Sequence, residues 1–508
     1  MSRLRRNVIA NYIGGAWTAL MGFAFMPLYI HYLGIEAFGL IGLYVALQAW
    51  MIMLDMGFTP TLNREMARLD AGQRSPRDAR SLIRTLELVY LPLTAMFALP
   101  LVLLSRWIAT EWLQFEQLQI DDVAEALSII GFTVIARWFS TLYRGAIMGL
   151  QHQVWLNGAN IFFATIRGPG VLVVLEYFSA SLLSFFLFQF VVYVIEALVL
   201  RGKLLKWLPA ATGVRFSLKQ ISGVAHFALG VAFINILAGL LTQLDKFVLS
   251  ATLPLSVLGY YTLASTVAGA LYIMIAPVSN AAFPRFTAAY SSGEAAQLAV
   301  DYHKLTQACA GIVLPMGLFL SCFAYPVLLL WTGDRVLAMS AAPILSILAL
   351  GSMLNGVMTL PYTLQLSSGW TRLTLILNTI AVLAYVPVVY PAIAHYGAMA
   401  PAFFWLALNV FYVLVAIPLM HRRLLTAERN AWYRQSLLAP LAGAAVVCLG
   451  ARLLFSIESS AQDLLSLAIL VLVLSGTVLS AMLATPLYRN ILGGFVLGQP
   501  LKPPPPSS

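Results

Sequence analysis

The sequence predicts an all-α polytopic membrane protein with about fourteen transmembrane helices, and three observations carry that prediction. Of its 508 residues, 60% are hydrophobic and only 10% charged, against about 25% charged in an average soluble domain. Apolar stretches of about 20 residues, the length that crosses a bilayer as a helix, recur with short polar breaks from Val8 to Thr485. Lysine and arginine gather in alternate breaks, the bias that orients a polytopic chain.

The stretches fall at 8–30, 38–56, 84–104, 126–148, 154–176, 180–200, 222–250, 254–278, 305–330, 338–362, 372–392, 398–420, 436–456 and 463–485. The first follows Arg3, Arg5 and Arg6 like a signal peptide, but it is longer than a signal h-region and further spans follow, so it reads as a retained helix. With the N-terminus inside, 23 of the 30 Lys+Arg lie on the cytoplasmic side. They include the six arginines from Arg64 to Arg84, while only Arg106, Arg335 and Arg452 lie outside. This asymmetry supports an even number of spans with both termini cytoplasmic. The net charge of +10 is therefore a matter of topology and implies no nucleic-acid partner.

Several chemistries are disfavoured. Cys309, Cys322 and Cys448 lie in apolar stretches without CxxC or Cys/His spacing, which disfavours disulfides and zinc. The six histidines are scattered with no HExxH, and no GxxxxGK[ST] occurs. No metal, cofactor or nucleotide hydrolysis is expected, and the chain does not read as an enzyme. The longest expected outer loop, Ser105 to Glu125, is short for a membrane-bound glycan polymerase or ligase.

A shift of 220 residues lays Leu33-Gly34-Ile35-Glu36-Ala37-Phe38-Gly39-Leu40 on Leu253-Pro254-Leu255-Ser256-Val257-Leu258-Gly259-Tyr260. Within one residue, the same shift sets Gly149 on Gly369 and Asn157 on Asn378. Two halves of six spans follow, a recurring transporter plan: residues 1–220, then 221–435, with two extra spans in 436–485 and a tail over 486–508.

Asn11, the run Pro27-Leu28-Tyr29-Ile30-His31-Tyr32-Leu33-Gly34-Ile35-Glu36-Ala37-Phe38-Gly39-Leu40, Asp55-Met56-Gly57-Phe58 and Asn63-Arg64 resemble the opening of oligosaccharide flippases of the polysaccharide transporter family. Asp245, Leu258-Gly259-Tyr260-Tyr261, Pro277 to Pro284-Arg285 and Gly397-Ala398 extend the resemblance over roughly residues 7–430. It implies the fold of the multidrug/oligosaccharidyl-lipid/polysaccharide exporter superfamily, with two six-helix lobes about a central cavity and two further helices. It also implies a bacterial inner-membrane protein that moves undecaprenyl-pyrophosphate-linked oligosaccharide from the cytoplasmic to the periplasmic leaflet for O-antigen, capsule or exopolysaccharide. A glycan polymerase and glycosyltransferases are then candidate partners. A lipid II flippase and a cation-coupled multidrug antiporter share the superfamily.

An ionisable group at mid-bilayer costs about 2.5–3.5 kcal/mol on insertion scales, so each one calls for a cause. Arg137 lies half-way along the fourth span, and Arg144, seven residues on, shares its helical face. Arg167 precedes Gly168-Pro169-Gly170 in the fifth span, where a helix break could open backbone groups. Guanidinium groups stay protonated and bind phosphate oxygens bidentately, so these three are expected to line a cationic lumen for a diphosphate. Lys246 is a fourth candidate, and Asp245 could take a proton or sodium ion for coupling. The bland alternative is an ion pair with Glu196 of the sixth span, itself also a coupling candidate, or snorkelling of Arg144 to the interface. Asp55 with Asn63-Arg64 is expected to pair with arginines and pin a loop.

Overall fold

A computed structural model describes residues 3–55, 57–212, 216, 236–237, 239–454 and 464–497. Among them helices dominate, and no strand occurs beyond the bridge between Gln114 and Pro254. Twelve described helices are long and apolar enough to cross a membrane, and twelve of the expected spans coincide with them. The expected span 38–56 is the apolar helix Ile35–Leu54. The span at 222–250 lies largely outside the described residues, which resume as a helix over 239–252. The chain is thus an all-α, multi-pass membrane protein.

The chain divides into two compact units, Met1–Gly259 and Tyr260–Ser508. In the first, the helix Ile120–Gly149 packs against Phe58–Asp70, Pro76–Leu103 and Leu182–Trp207, while Arg3–Ala24 packs on Gln153–Tyr177. Its interior holds Trp138, Tyr90, Phe186 and Leu127, all buried. In the second, Ala295–Cys322 and Arg335–Ser367 form the centre of a core that contains Tyr302, Phe286, Trp432 and Val357. Pro486–Leu497, within the expected tail, is a helix held to this core. Leu487 N donates to Gln307 Oε1 at 3.0 Å and Tyr488 OH to the Ala308 carbonyl at 3.0 Å.

The motif residues near the start have structural work to do. Glu36 is buried, and its carboxylate accepts the backbone N–H groups of Glu116 and Gln117, both at 2.9 Å, which anchors the connection 113–119. Asp55 accepts from Thr59 N at 2.8 Å and Thr59 Oγ1 at 2.9 Å, and also from Tyr90 OH. The expected pin is therefore real, but its described partners are a threonine and a tyrosine rather than arginines. Such hydrogen bonds satisfy the carboxylate and the first-turn N–H of Phe58–Asp70 together.

Within the first unit, Gly39 lies against the first turn of Leu255–Gly269. A Cβ on Gly39 would overlap the Leu255 carbonyl oxygen, and one on Gly259 would overlap the Ile35 carbonyl oxygen. Residues 35 and 255, and likewise 39 and 259, are repeat partners under the 220-residue shift. The two repeat motifs thus cross reciprocally, and only glycine lets the backbones approach so closely.

The expected break at Gly168-Pro169-Gly170 does not occur: Gln153–Tyr177 is one helix with Pro169 inside it. Pro169 leaves the Thr165 carbonyl without its helical donor, and membrane helices tolerate this without unwinding. Tyr29 OH donates to the Gly168 carbonyl at 3.0 Å from a neighbouring helix.

Candidate functional site

Three neighbouring helices of the first unit bring charge to one place. Ile120–Gly149 supplies Arg137 and Arg144, Gln153–Tyr177 supplies Arg167 and Asn160, and Leu182–Trp207 supplies Tyr193 and Glu196. The spacing of seven between the first two arginines places both on one face, about two turns apart. Tyr193 and Glu196, three apart, share a face of the next helix.

Glu196 accepts from both neighbours. Arg144 Nη2 pairs with its Oε1 and Arg167 Nη1 with its Oε2. The carboxylate side chain is 1% exposed, whereas Arg144 retains 28% and Arg167 16%. The acid therefore lies behind the two cations, and the cations keep an accessible side. Arg144 Nη1 also donates to Asn160 Oδ1.

Arg137 is held differently. Its Nη1 donates to Tyr193 OH at 2.6 Å, and no described carboxylate pairs with it. The Tyr193 ring lies 4.5 Å from Arg167 Cζ and 5.3 Å from Arg137 Cζ, so one ring stabilises two cations through its face. Tyr44, from Ile35–Leu54, lies within electrostatic reach of Tyr193, Arg137 and Arg167. Its ring packs edge-on against Phe186 at 5.4 Å, and its hydroxyl is buried beside that of Tyr193. Three guanidiniums against one carboxylate leave an excess of positive charge in a largely apolar bundle. Such a group can bind an anion through fork-shaped donors, and Tyr44 adds a hydroxyl to the same place.

Arg137, Arg144, Arg167 and Glu196 thus come together as one cluster. Lys246 and Asp245 have other described partners: Lys246 Nζ reaches Gln243 Oε1 at 3.3 Å, and Lys246 N donates to Asp245 Oδ1 at 2.8 Å. Lys246 is buried, one residue before Phe247, which meets Trp50 edge-on at 5.3 Å. Sequence reasoning passed over Tyr193, Asn160 and Tyr44. Tyr193 was recoverable, since it stands three residues before Glu196 on one helical face. Asn160 stands seven before Arg167 and was recoverable in the same way. Tyr44 carries no sequence signal. Among the described residues no group of three or more His, Cys, Asp or Glu could hold a metal.

The comparisons agree with this architecture. A family model described as "Polysaccharide biosynthesis protein" matches residues 4–289. A Shigella flexneri protein described as "Putative O-antigen transporter" is 20% identical over 428 residues, covering 84% of this chain and 99% of that protein. Among solved structures, the lipid II flippase MurJ in an inward closed conformation superposes with a TM-score of 0.70 at 12% identity, covering 97% of this chain and 99% of that one. An inward-facing multidrug resistance transporter of the MATE family superposes with a TM-score of 0.64 at 17% identity, covering 80% and 94%. At these identities the two structures speak for the fold alone.

Proposed function

We propose a function from one premise: the chain belongs to the polysaccharide biosynthesis protein family and is a polysaccharide transporter of the flippase type. In our reading its cargo is an undecaprenyl-pyrophosphate-linked oligosaccharide, moved from the cytoplasmic to the periplasmic leaflet of a bacterial inner membrane. The Lys/Arg bias supports cytoplasmic termini in that membrane.

The observation that carries this reading is the cluster of Arg137, Arg144 and Arg167 with a single carboxylate among them. A diphosphate loses its hydration inside the bilayer and needs replacement donors, and guanidinium forks supply them in pairs. Arg137 is the cation best placed to meet it, because its described partner is a neutral hydroxyl. Lys246 is a further cation for the same passage, and Asp245 is the carboxylate left for coupling to a proton or sodium ion. Glu196, tied to two guanidiniums, serves better as their counter-ion than as an ion-coupling group.

A lipid II flippase is the second reading, kept open by the fold shared with MurJ. It too needs a cationic cavity, so the cluster suits it equally. A multidrug antiporter for cations fits less well, since the described cluster favours anions. Deletion of the gene followed by analysis of accumulated lipid-linked intermediates separates the first two. The site itself is tested by Arg137→Gln at matched protein level. Loss of one charge-assisted contact, about 1.5–3 kcal/mol, should cut glycan export by about tenfold or more. Unchanged export would remove Arg137 from the site.

A further inference from the structure

We infer that Glu196 is a resident anion of the arginine cluster, compensating in the cargo-free protein the charge that must attract a diphosphate. The inference rests on the cargo reading above, but it makes a separate claim about affinity.

Glu196 divides its two oxygens between two helices, with Oε1 taken by Arg144 and Oε2 by Arg167. Carboxylate and phosphate suit the guanidinium alike, so a phosphate held by both arginines competes with Glu196 for their positive charge. Arg144 gives one N–H from Nη2 to Glu196 and one from Nη1 to Asn160, so each terminal nitrogen keeps a second N–H for an incoming anion. What a diphosphate contests at Arg144 is therefore the charge that Glu196 compensates, rather than a last donor.

Exposure sets the direction of the exchange. The arginines keep accessible surface and Glu196 keeps almost none, so an anion meets the cations first and the acid recedes behind them. Arg137, joined to the Tyr193 hydroxyl at 2.6 Å, supplies a first contact that Glu196 does not contest. The buried Tyr44 hydroxyl, beside that of Tyr193, lies within electrostatic reach of the same group.

The consequence is an affinity held down by design. While Glu196 compensates two of the three guanidiniums, an incoming diphosphate gains less from their charge, and its affinity falls accordingly. A carrier must release what it takes up, and an internal competitor returns to the arginines as cargo leaves. The same carboxylate keeps two buried guanidiniums compensated between cycles, which an empty anion site would not.

The test uses the purified full chain in nanodiscs and inorganic pyrophosphate as the probe, titrated calorimetrically. Glu196→Gln keeps the shape but removes the competing charge, and should bind pyrophosphate about tenfold more tightly than wild type. If Glu196→Gln does not fold, Glu196→Asp decides. It keeps the charge but withdraws the carboxylate by one methylene, and should still tighten binding measurably. Equal or weaker binding by a folded Glu196→Gln, or by Glu196→Asp in its place, overturns the inference and marks Glu196 as a structural pair only. That outcome leaves the arginine site standing, provided Arg137→Gln weakens pyrophosphate binding in the wild-type background. If neither wild type, Arg137→Gln nor the folded Glu196 variant takes up pyrophosphate, the site and the inference both fall.

Discussion

Inside the first unit the most telling polar contacts are ionic, whereas inside the second they are mostly neutral. Arg144, Arg167 and Glu196 face one another across three helices of the first unit. In the second, Asn355 links Asn409 at 2.7 Å to Tyr272 at 3.0 Å, Tyr412 donates to Asn378 at 2.8 Å, and Gln307 donates to Gln435 at 3.0 Å. The contact of His303 with Glu428 at 2.7 Å draws Glu428 from the turn between two spans rather than from a span interior. Under the 220-residue shift, Arg137, Arg144, Arg167 and Glu196 fall on Val357, Leu364, Pro387 and Ala416. The repeat shares spans and glycines between its halves but not these charges. Because a charge inside the membrane is expensive, a cluster present in one half alone argues for a task that one half performs.

The contrast can be broken most decisively at Glu196. Glu196→Ala leaves two partly buried guanidiniums without their counter-ion and should destabilise the protein by up to about 3–5 kcal/mol, read from the unfolding midpoint in detergent. A negligible loss would show that the arginines find compensation elsewhere and that the first unit is not ionic in the sense claimed. Next in size are the crossing glycines. Gly39→Ala and Gly259→Ala each force a methyl onto a carbonyl of the other motif, that of Leu255 or Ile35, and should cost about 1–3 kcal/mol. The two losses should be similar, because the contact is reciprocal; a cost at one position alone would break the equivalence of the repeats. The smallest effect is expected in the neutral interior. Ser279 Oγ and Thr363 Oγ1 lie 2.8 Å apart, and Thr363 also donates to the Thr359 carbonyl at 2.8 Å. Ser279→Ala should therefore cost only about 0.5–1.5 kcal/mol. A loss as large as that at Glu196 would erase the difference between the units.

Much of this is legible in the sequence. The spacing of Arg137 and Arg144 puts both on one face, and Glu196 of the sixth span is a candidate partner for an ion pair. What could not be read was the sharing of Glu196 between Arg144 and Arg167, since their helices meet at an angle and height that no periodicity encodes. The Gly168-Pro169-Gly170 run misled for a related reason. A proline's effect on a helix depends on how the helix is packed, and here Gln153–Tyr177 continues through Pro169. The repeat was visible in outline, but that Gly39 and Gly259 lie against each other's motifs was not.

The amino-acid sequence determined the solvent of this protein and most of its helices, because the need to satisfy backbone hydrogen bonds in hydrocarbon turns any apolar run of about 20 residues into a spanning helix. That requirement is local and so is readable along the chain. Which side chains meet was decided by tertiary structure: Tyr44 stands 149 positions before Tyr193, and only the packing of their helices brings the two within reach of the same arginines. Electrostatic and hydrogen-bond partners are chosen by distance in space, and separation in sequence carries almost no information about it.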